Sequence, residues 1–242
     1  MSEQSMDLYG QALLDYYHGD LNTMIIIRRD DGFIAELPLK VFFARPAEFS
    51  RIEQLALEMC RGEVLDIGAG TGRHSLALQQ RGLIPFAIDI SAGAVEIIRR
   101  NGVKRAECAD IFRFKQGTFD TLMMLLHGIG MTGTLDGFTK FLHHARTLLK
   151  PGGQLIFDSL DVRCTDDAGN LAYQESNIRK NRYFGEIHLE FGYKGMTGKP
   201  WKWLHIDQET MTERARIAGW NVEIVHAEAG GDYLARLTLP LK

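Results

Sequence analysis

The chain has 242 residues, 45% of them hydrophobic and 24% charged, with a formal net charge of −3. That composition supports a sizeable globular core, and its slight acidity excludes a general attraction to nucleic acid or to an anionic membrane. The N-terminus lacks the basic and apolar blocks of a secretory signal, no run of about 18 apolar residues occurs, and Cys60, Cys108 and Cys164 form no CxxC pair, so a cytoplasmic protein with reduced thiols is expected.

In chain order, residues 1–60 read as a cap. LYGQALLDYYHGD is an aromatic helix stopped at Gly19, and TMIIIRR and FIAELPL are strands joined by an Asp–Gly turn. PAEFSRIEQLALEMC has helical spacing, with Pro46 in its first turn. From Val64 strands alternate with helices. EVLDIG is a strand, GRHSLALQQRG a helix closed by Gly82, LIPFAIDI a strand, and SAGAVEIIRRNG a helix between Ser91 as N-cap and Gly102 as stop. RAECADI is a short strand, FDTLMMLLHG a long buried one, LDGFTKFLHHARTLLK a helix and PGGQLIFDSL a further strand. Such alternation predicts an α/β fold with a parallel sheet and helices on both faces.

Residues from about 165 to 203 break the rhythm. RYFGEIHLEFGYKG and KPWKWLHI read as two strands of an inserted arm with a glycine-rich turn between them. QETMTERARIAGW is a helix. NVEIVHAE and GDYLARLTLP lie too close for a helical crossover, so they pair antiparallel at the sheet edge.

The stretch VLDIGAGTG carries the most information. Gly68, Gly70 and Gly72 alternate after a strand that contains Asp66. Glycine-rich turns of this kind usually hold phosphate on backbone N–H groups, but Asp66 would repel one. The dinucleotide fingerprint GxGxxG also fails, because its sixth position is Arg73. Asp66, Asp89 and Asp110 each fall at the carboxyl end of a strand, where open α/β sheets bind ligands. Each acid has a plainer role available, as a loop cap, a helix-terminal charge or a surface acid. Three together at strand ends need a ligand.

VLDIGAGTG, FAIDIS, CADI, FDTLMMLLHGIG and LLKPGGQLIFD, in that order over about Glu63 to Leu160, resemble the class I S-adenosylmethionine-dependent methyltransferases. The resemblance implies a Rossmann-like, doubly wound, mostly parallel sheet with an antiparallel C-terminal edge strand. A helix and hairpin cap or lid over 1–60 would then precede a methyltransferase domain over 61–242, with the substrate arm at about 165–203. It implies S-adenosyl-L-methionine as cofactor, with Asp66 orienting the methionyl end and Gly68, Ala69, Gly70 and Gly72 passing close to it. Asp89, followed by Ile90, would accept the ribose hydroxyls, and Asp110 the adenine amino group, with Ile111 against the ring.

At the end of the fourth strand the family commonly carries asparagine, and here stands His127. Its readings are a backbone contact to the cofactor, a substrate contact, a general base near neutral pH, or a simple filler of the strand end. Because the cofactor brings its own leaving group, a base is needed only where the acceptor must lose a proton. The arm interleaves Lys and Arg with aromatics, which suits either stacking on a flat anion or RNA, or one packed and one solvated face. Tyr16, Tyr17, Trp201, Trp203 and His205 are the candidate substrate contacts. The histidines have no zinc-like spacing, so no metal is expected.

The expected activity is methyl transfer to a small molecule. An RNA or protein methyltransferase is the first alternative, and a cofactor-binding protein without transfer activity the second. Nothing in the sequence sets an oligomeric state.

Overall fold

A computed structural model describes residues 3–240. In chain order the helix α1 (Glu3–Tyr17) precedes the hairpin β1 (Met24–Arg29) and β2 (Ile34–Pro38), followed by α2 (Arg51–Met59). Then come β3 (Glu63–Ile67), α3 (Arg73–Gln80), β4 (Ile84–Asp89), α4 (Ala92–Arg100) and β5 (Ala106–Cys108). β6 (Phe119–Met124), α5 (Leu135–Thr147), β7 (Leu149–Leu160) and α6 (Ala168–Arg179) follow. The chain ends with β8 (Glu186–Tyr193), β9 (Met196–Thr197), β10 (Trp201–Leu204), α7 (Gln208–Ile217), β11 (Asn221–Ala227) and β12 (Asp232–Thr238).

The larger sheet has seven strands in the order β11-β12-β7-β6-β3-β4-β5. β3, β4 and β5 pair in parallel, as do β6 and β7, whereas β12 runs antiparallel to β7 and β11 antiparallel to β12. This is the expected α/β architecture with its antiparallel C-terminal edge. The smaller sheet follows the order β10-β8-β1-β2, with β9 on β8.

The chain divides into two compact units, Met1–Gln116 with His188–Trp201, and Gly117–Ile187 with Lys202–Lys242. In the first, β8 pairs antiparallel with β1, setting Phe191 opposite Ile27. A strand of the arm thus extends the N-terminal hairpin, a pairing across some 160 residues that no local pattern announces. Ala69, Ala87, Val95, Ile98 and Val103 form a core under the glycine loop. In the second unit, Phe138, Phe141 and Phe157 are fully buried.

Local chemistry explains where boundaries differ from the sequence reading. α2 starts at Arg51 rather than near Pro46, because Ser50 and Glu53 form a capping box. Pro46–Glu48 make only a separate 3-10 turn. β6 stops at Met124, since Leu126 and His127 both adopt left-handed backbone angles, φ 57° each. α6 occupies part of the stretch read as arm. Its buried residues are Tyr173, Gln174 and Asn177, so it lacks the apolar stripe that marks a helix in sequence.

Candidate functional site

In the first unit the loop after β3 is built from left-handed glycines, with φ 71° at Gly68, 58° at Gly70 and 76° at Gly72. Side chains there would be strained. Gly72 has a second constraint, because a Cβ would press on Ile98 and Val103 at 3.1–3.3 Å. The N–H groups of Gly68 and Ala69 both donate to the Ile88 carbonyl, which ties the loop to β4.

Asp89 terminates β4 and is buried. Its two oxygens accept from the N–H groups of Gly70 and Ser91, each at 2.9 Å. Burial pushes its pKa up to about 6, with the nearby Asp66 charge adding to the effect and the two backbone donors opposing it. Asp66 accepts from Ser75 Oγ at 2.7 Å, and burial raises its pKa as well. It therefore anchors the first turn of α3 from beneath the loop. Ile90 offers its carbonyl to the Cys108 thiol. Asp110 lies two residues beyond β5 and is half-buried. It accepts from Phe112 N–H at 3.0 Å in an Asx turn, and Ile111 beside it is buried.

The loop has neighbours that the sequence reading missed. A Cβ on Gly70 would sit 3.4 Å from the Tyr9 hydroxyl. Burial raises the Tyr9 pKa well above its ordinary value, and the Asp89 charge adds to that. Tyr9 stacks on Phe191 at 6.2 Å, and Phe191 meets Trp201 edge to face at 5.1 Å, so the arm's Trp201 is a buried packing residue. Glu53 of α2 is bonded by Arg73 and by His74, the latter at 2.7 Å. Arg73 and His74 directly follow Gly72, but nothing local in the sequence links Glu53 to them. Tyr16 stacks on Phe43 at 4.6 Å and Tyr17 meets His18.

In the second unit His127 caps the 3-10 turn Gly128–Thr132. Its backbone N–H donates to both carboxylate oxygens of Asp158, at 3.1 and 3.0 Å, and its Nε2 donates to Asp232 Oδ1 at 2.7 Å. The His205 ring stands edge to face on His127 at 5.3 Å. Trp203 covers Gly130 so closely that any Cβ there would fall inside the indole. The structure thus brings His127, His205, Asp158 and Asp232 together. Asp158 and Asp232 escaped the sequence reading, being 31 and 105 residues from His127. Among the described residues no group of His, Cys, Asp and Glu could hold a metal ion, and no helix is long and apolar enough to cross a membrane.

The first-unit loop suits the ligand implied by the motif. A buried carboxylate that already orders Gly70 keeps lone pairs for hydroxyl donors, the glycines leave room for close approach, and the acid beneath discourages phosphate.

Comparisons with known proteins agree with this chemistry. The family described as a methyltransferase domain matches residues 36–223. A solved S-adenosylmethionine-dependent methyltransferase from Bacteroides fragilis, in complex with S-adenosyl-L-homocysteine, is 33% identical. That match covers 98% of this chain and 97% of the other, with a TM-score of 0.86. A demethylmenaquinone methyltransferase from Tropheryma whipplei is 30% identical over 125 residues, 49% of this chain and 50% of that protein. A ubiquinone biosynthesis O-methyltransferase from Azotobacter vinelandii is 27% identical over 106 residues, 41% and 44% of the two chains. The chain spans half or less of the length of the curated relatives it matches. With the glycine loop, the β4 acid and a whole-chain structural match pointing the same way, the chain belongs to the class I S-adenosylmethionine-dependent methyltransferases.

Proposed function

We propose that this methyltransferase acts on a small-molecule acceptor, in a cytoplasmic setting that suits its three free cysteines. S-adenosyl-L-methionine supplies a methyl group activated by its sulfonium. The observation that carries the cofactor assignment is the bond from Gly70 N–H to buried Asp89, which fixes an acceptor carboxylate beside the left-handed loop. Asp89 accepts the ribose hydroxyls, with Ile90 beside it. Asp110 and Ile111 hold the adenine. Gly68, Ala69, Gly70 and Gly72 admit the methionyl end over Asp66. His127 is the catalytic residue and acts on the acceptor. Trp203 and His205 are the acceptor contacts, whereas Tyr16, Tyr17 and Trp201 pack on Phe43, His18 and Phe191.

The small-molecule assignment draws support from two of the curated relatives, named as a demethylmenaquinone methyltransferase and a ubiquinone biosynthesis O-methyltransferase, and from the arm itself. Phe191, Tyr193 and Trp201 are buried, so these three of the arm's aromatics offer no exposed face for single-stranded RNA to stack on.

Calorimetry and a label-transfer assay test the reading. S-adenosylhomocysteine should bind and NAD should not. Tritiated methyl groups should enter the small-molecule fraction of a cell extract, insensitive to nuclease. Label confined to RNA or protein would refute the acceptor class, and preference for NAD would refute the cofactor site.

A further inference from the structure

His127 is held more firmly than a residue that merely ends a strand requires. Leu126 and His127 are consecutive non-glycine residues in the left-handed region, a costly arrangement that persists only where surrounding contacts enforce it. The enforcing contacts are the two bonds from His127 N–H to the Asp158 carboxylate of β7 and the bond from Nε2 to Asp232 at the start of β12. With Nε2–H turned to Asp232, the lone pair of the neutral imidazole is on Nδ1. The ring remains partly open, its side chain 29% exposed.

We infer that Asp232 positions His127 as the base for the methyl acceptor, so that the atom methylated is one still bearing its proton at neutral pH, a hydroxyl or an amine, rather than a carboxylate. This rests on the methyltransferase reading above. The acceptor atom gives its proton to His127 Nδ1 and uses the electron pair left behind to bond the methyl carbon. The pair of the broken carbon–sulfur bond stays on sulfur, and His127 ends as an imidazolium facing Asp232. A carboxylate acceptor has no proton to surrender and needs none of this machinery.

The titratable groups facing His127 are Asp158 from β7, Asp232 from β12 and His205 from the segment after β10. Burial works against a charged His127 imidazole, but the Asp232 bond and the Asp158 charge outweigh it and hold the pKa above its ordinary value. Burial first, then the charge of His127, depresses the pKa of His205 to about 3. It stays neutral, with a buried Nδ1 that has no hydrogen-bond partner among the described residues. Of the two rings, His127 is therefore the one that takes up an added proton.

The experiment follows tritiated methyl transfer into the small-molecule fraction of a cell extract between pH 5.5 and 9. It compares wild type, Asp232→Asn, Asp232→Glu and His127→Asn, asparagine being a residue that tolerates left-handed backbone. Binding of S-adenosylhomocysteine, measured beside it, reports folding. The label should resist alkali, as in an ether or N-methyl group. The wild-type rate should fall on the acid side as His127 gains its proton. Asp232→Asn should move that limb to lower pH and lower the plateau at least tenfold, Asp232→Glu should restore much of both, and His127→Asn should lose about 10²–10⁴-fold.

Label released by alkali as methanol, the mark of a methyl ester, would overturn the inference while leaving methyl transfer intact. An acid limb unshifted in folded Asp232→Asn would do the same. Wild type that fails to bind S-adenosylhomocysteine would instead strike the methyltransferase reading itself. Wild type that binds it but labels no small molecule refutes the acceptor class and this inference together.

Discussion

Gly10 of α1 and Gly93 of α4 meet backbone to backbone. A Cβ on Gly93 would lie 2.8 Å from the carbonyl of Gly10, and one on Gly10 would lie 3.2 Å from Gly93 Cα. Glycine inside a helix costs about 1 kcal/mol relative to alanine, and this contact explains why both helices bear it. α1 also buries Ala12 and Leu13 completely. Gly93→Ala is therefore expected to destabilise by about 1–3 kcal/mol, the usual cost of overpacking, read from urea unfolding. Deleting residues 1–20 should cost more and should weaken S-adenosylhomocysteine binding, because it strips Tyr9 from Gly70. A free-standing lid would come away harmlessly. A truncated chain with unchanged urea midpoint and unchanged affinity would show that α1 is such a lid.

Why the glycine loop was legible and the His127 cluster only in part follows from the range of the forces. Gly68, Gly70 and Gly72 answer a local backbone requirement, and Asp66 and Asp89 belong to the C-terminal ends of the strands β3 and β4 themselves, so spacing alone exposed them. His127 was visible as a strand-end polar residue, but its partners Asp158 and Asp232 reach it only through the β6-β7-β12 pairing. α6 escaped for a different reason. Asn177 secures it by donating its side-chain amide to the carbonyls of Phe184 and Glu186, and periodicity does not record a buried polar anchor.

Trp203 lying on Gly130 gives a double-mutant test. Gly130→Ala should destabilise by about 1–3 kcal/mol, because the new methyl group displaces the indole. Adding Trp203→Leu should make the alanine far less harmful, since the group it strikes has been removed. Non-additivity in urea unfolding is the readout. Strictly additive losses would mean that the indole does not rest on Gly130 in solution.

The Glu53 cluster sets acid stability. Burial alone would raise the Glu53 pKa, but the bonds from His74 and from Ser50 N–H, with the charges of His74 and Arg73, bring it down to about 2 from an ordinary 4.5. A carboxylate depressed on folding stabilises above its unfolded pKa and loses that stabilisation as pH falls through the folded one. The gap amounts to about 3 kcal/mol, present above about pH 4.5 and gone near pH 2. Glu53→Gln should abolish that slope and leave Arg73 without its buried counter-ion. Equal acid slopes in wild type and variant would contradict the assignment.

Asp89 should act in the opposite sense, and in a different pH window. Its folded pKa of about 6 lies above the ordinary 3.8, so the folded chain without ligand binds more protons than the unfolded one between those values. The Asp89 contribution therefore lowers stability as pH rises through that range. Ligand binding reverses the preference. Ribose hydroxyls donating to Asp89 favour the ionised carboxylate, so S-adenosylhomocysteine should bind tightest above about pH 6. Its affinity should weaken by up to tenfold per pH unit below that. Near pH 5.5 binding should release a sizeable fraction of a proton, visible as different calorimetric enthalpies in buffers of unequal ionisation heat, and above pH 7.5 the Asp89 share of this release should vanish. Asp89→Asn should remove the linkage and cost about 1–3 kcal/mol of affinity, as expected for loss of a charge-assisted acceptor. Affinity equal at pH 5 and pH 7.5, with no Asp89-dependent proton release, would take the ribose away from Asp89.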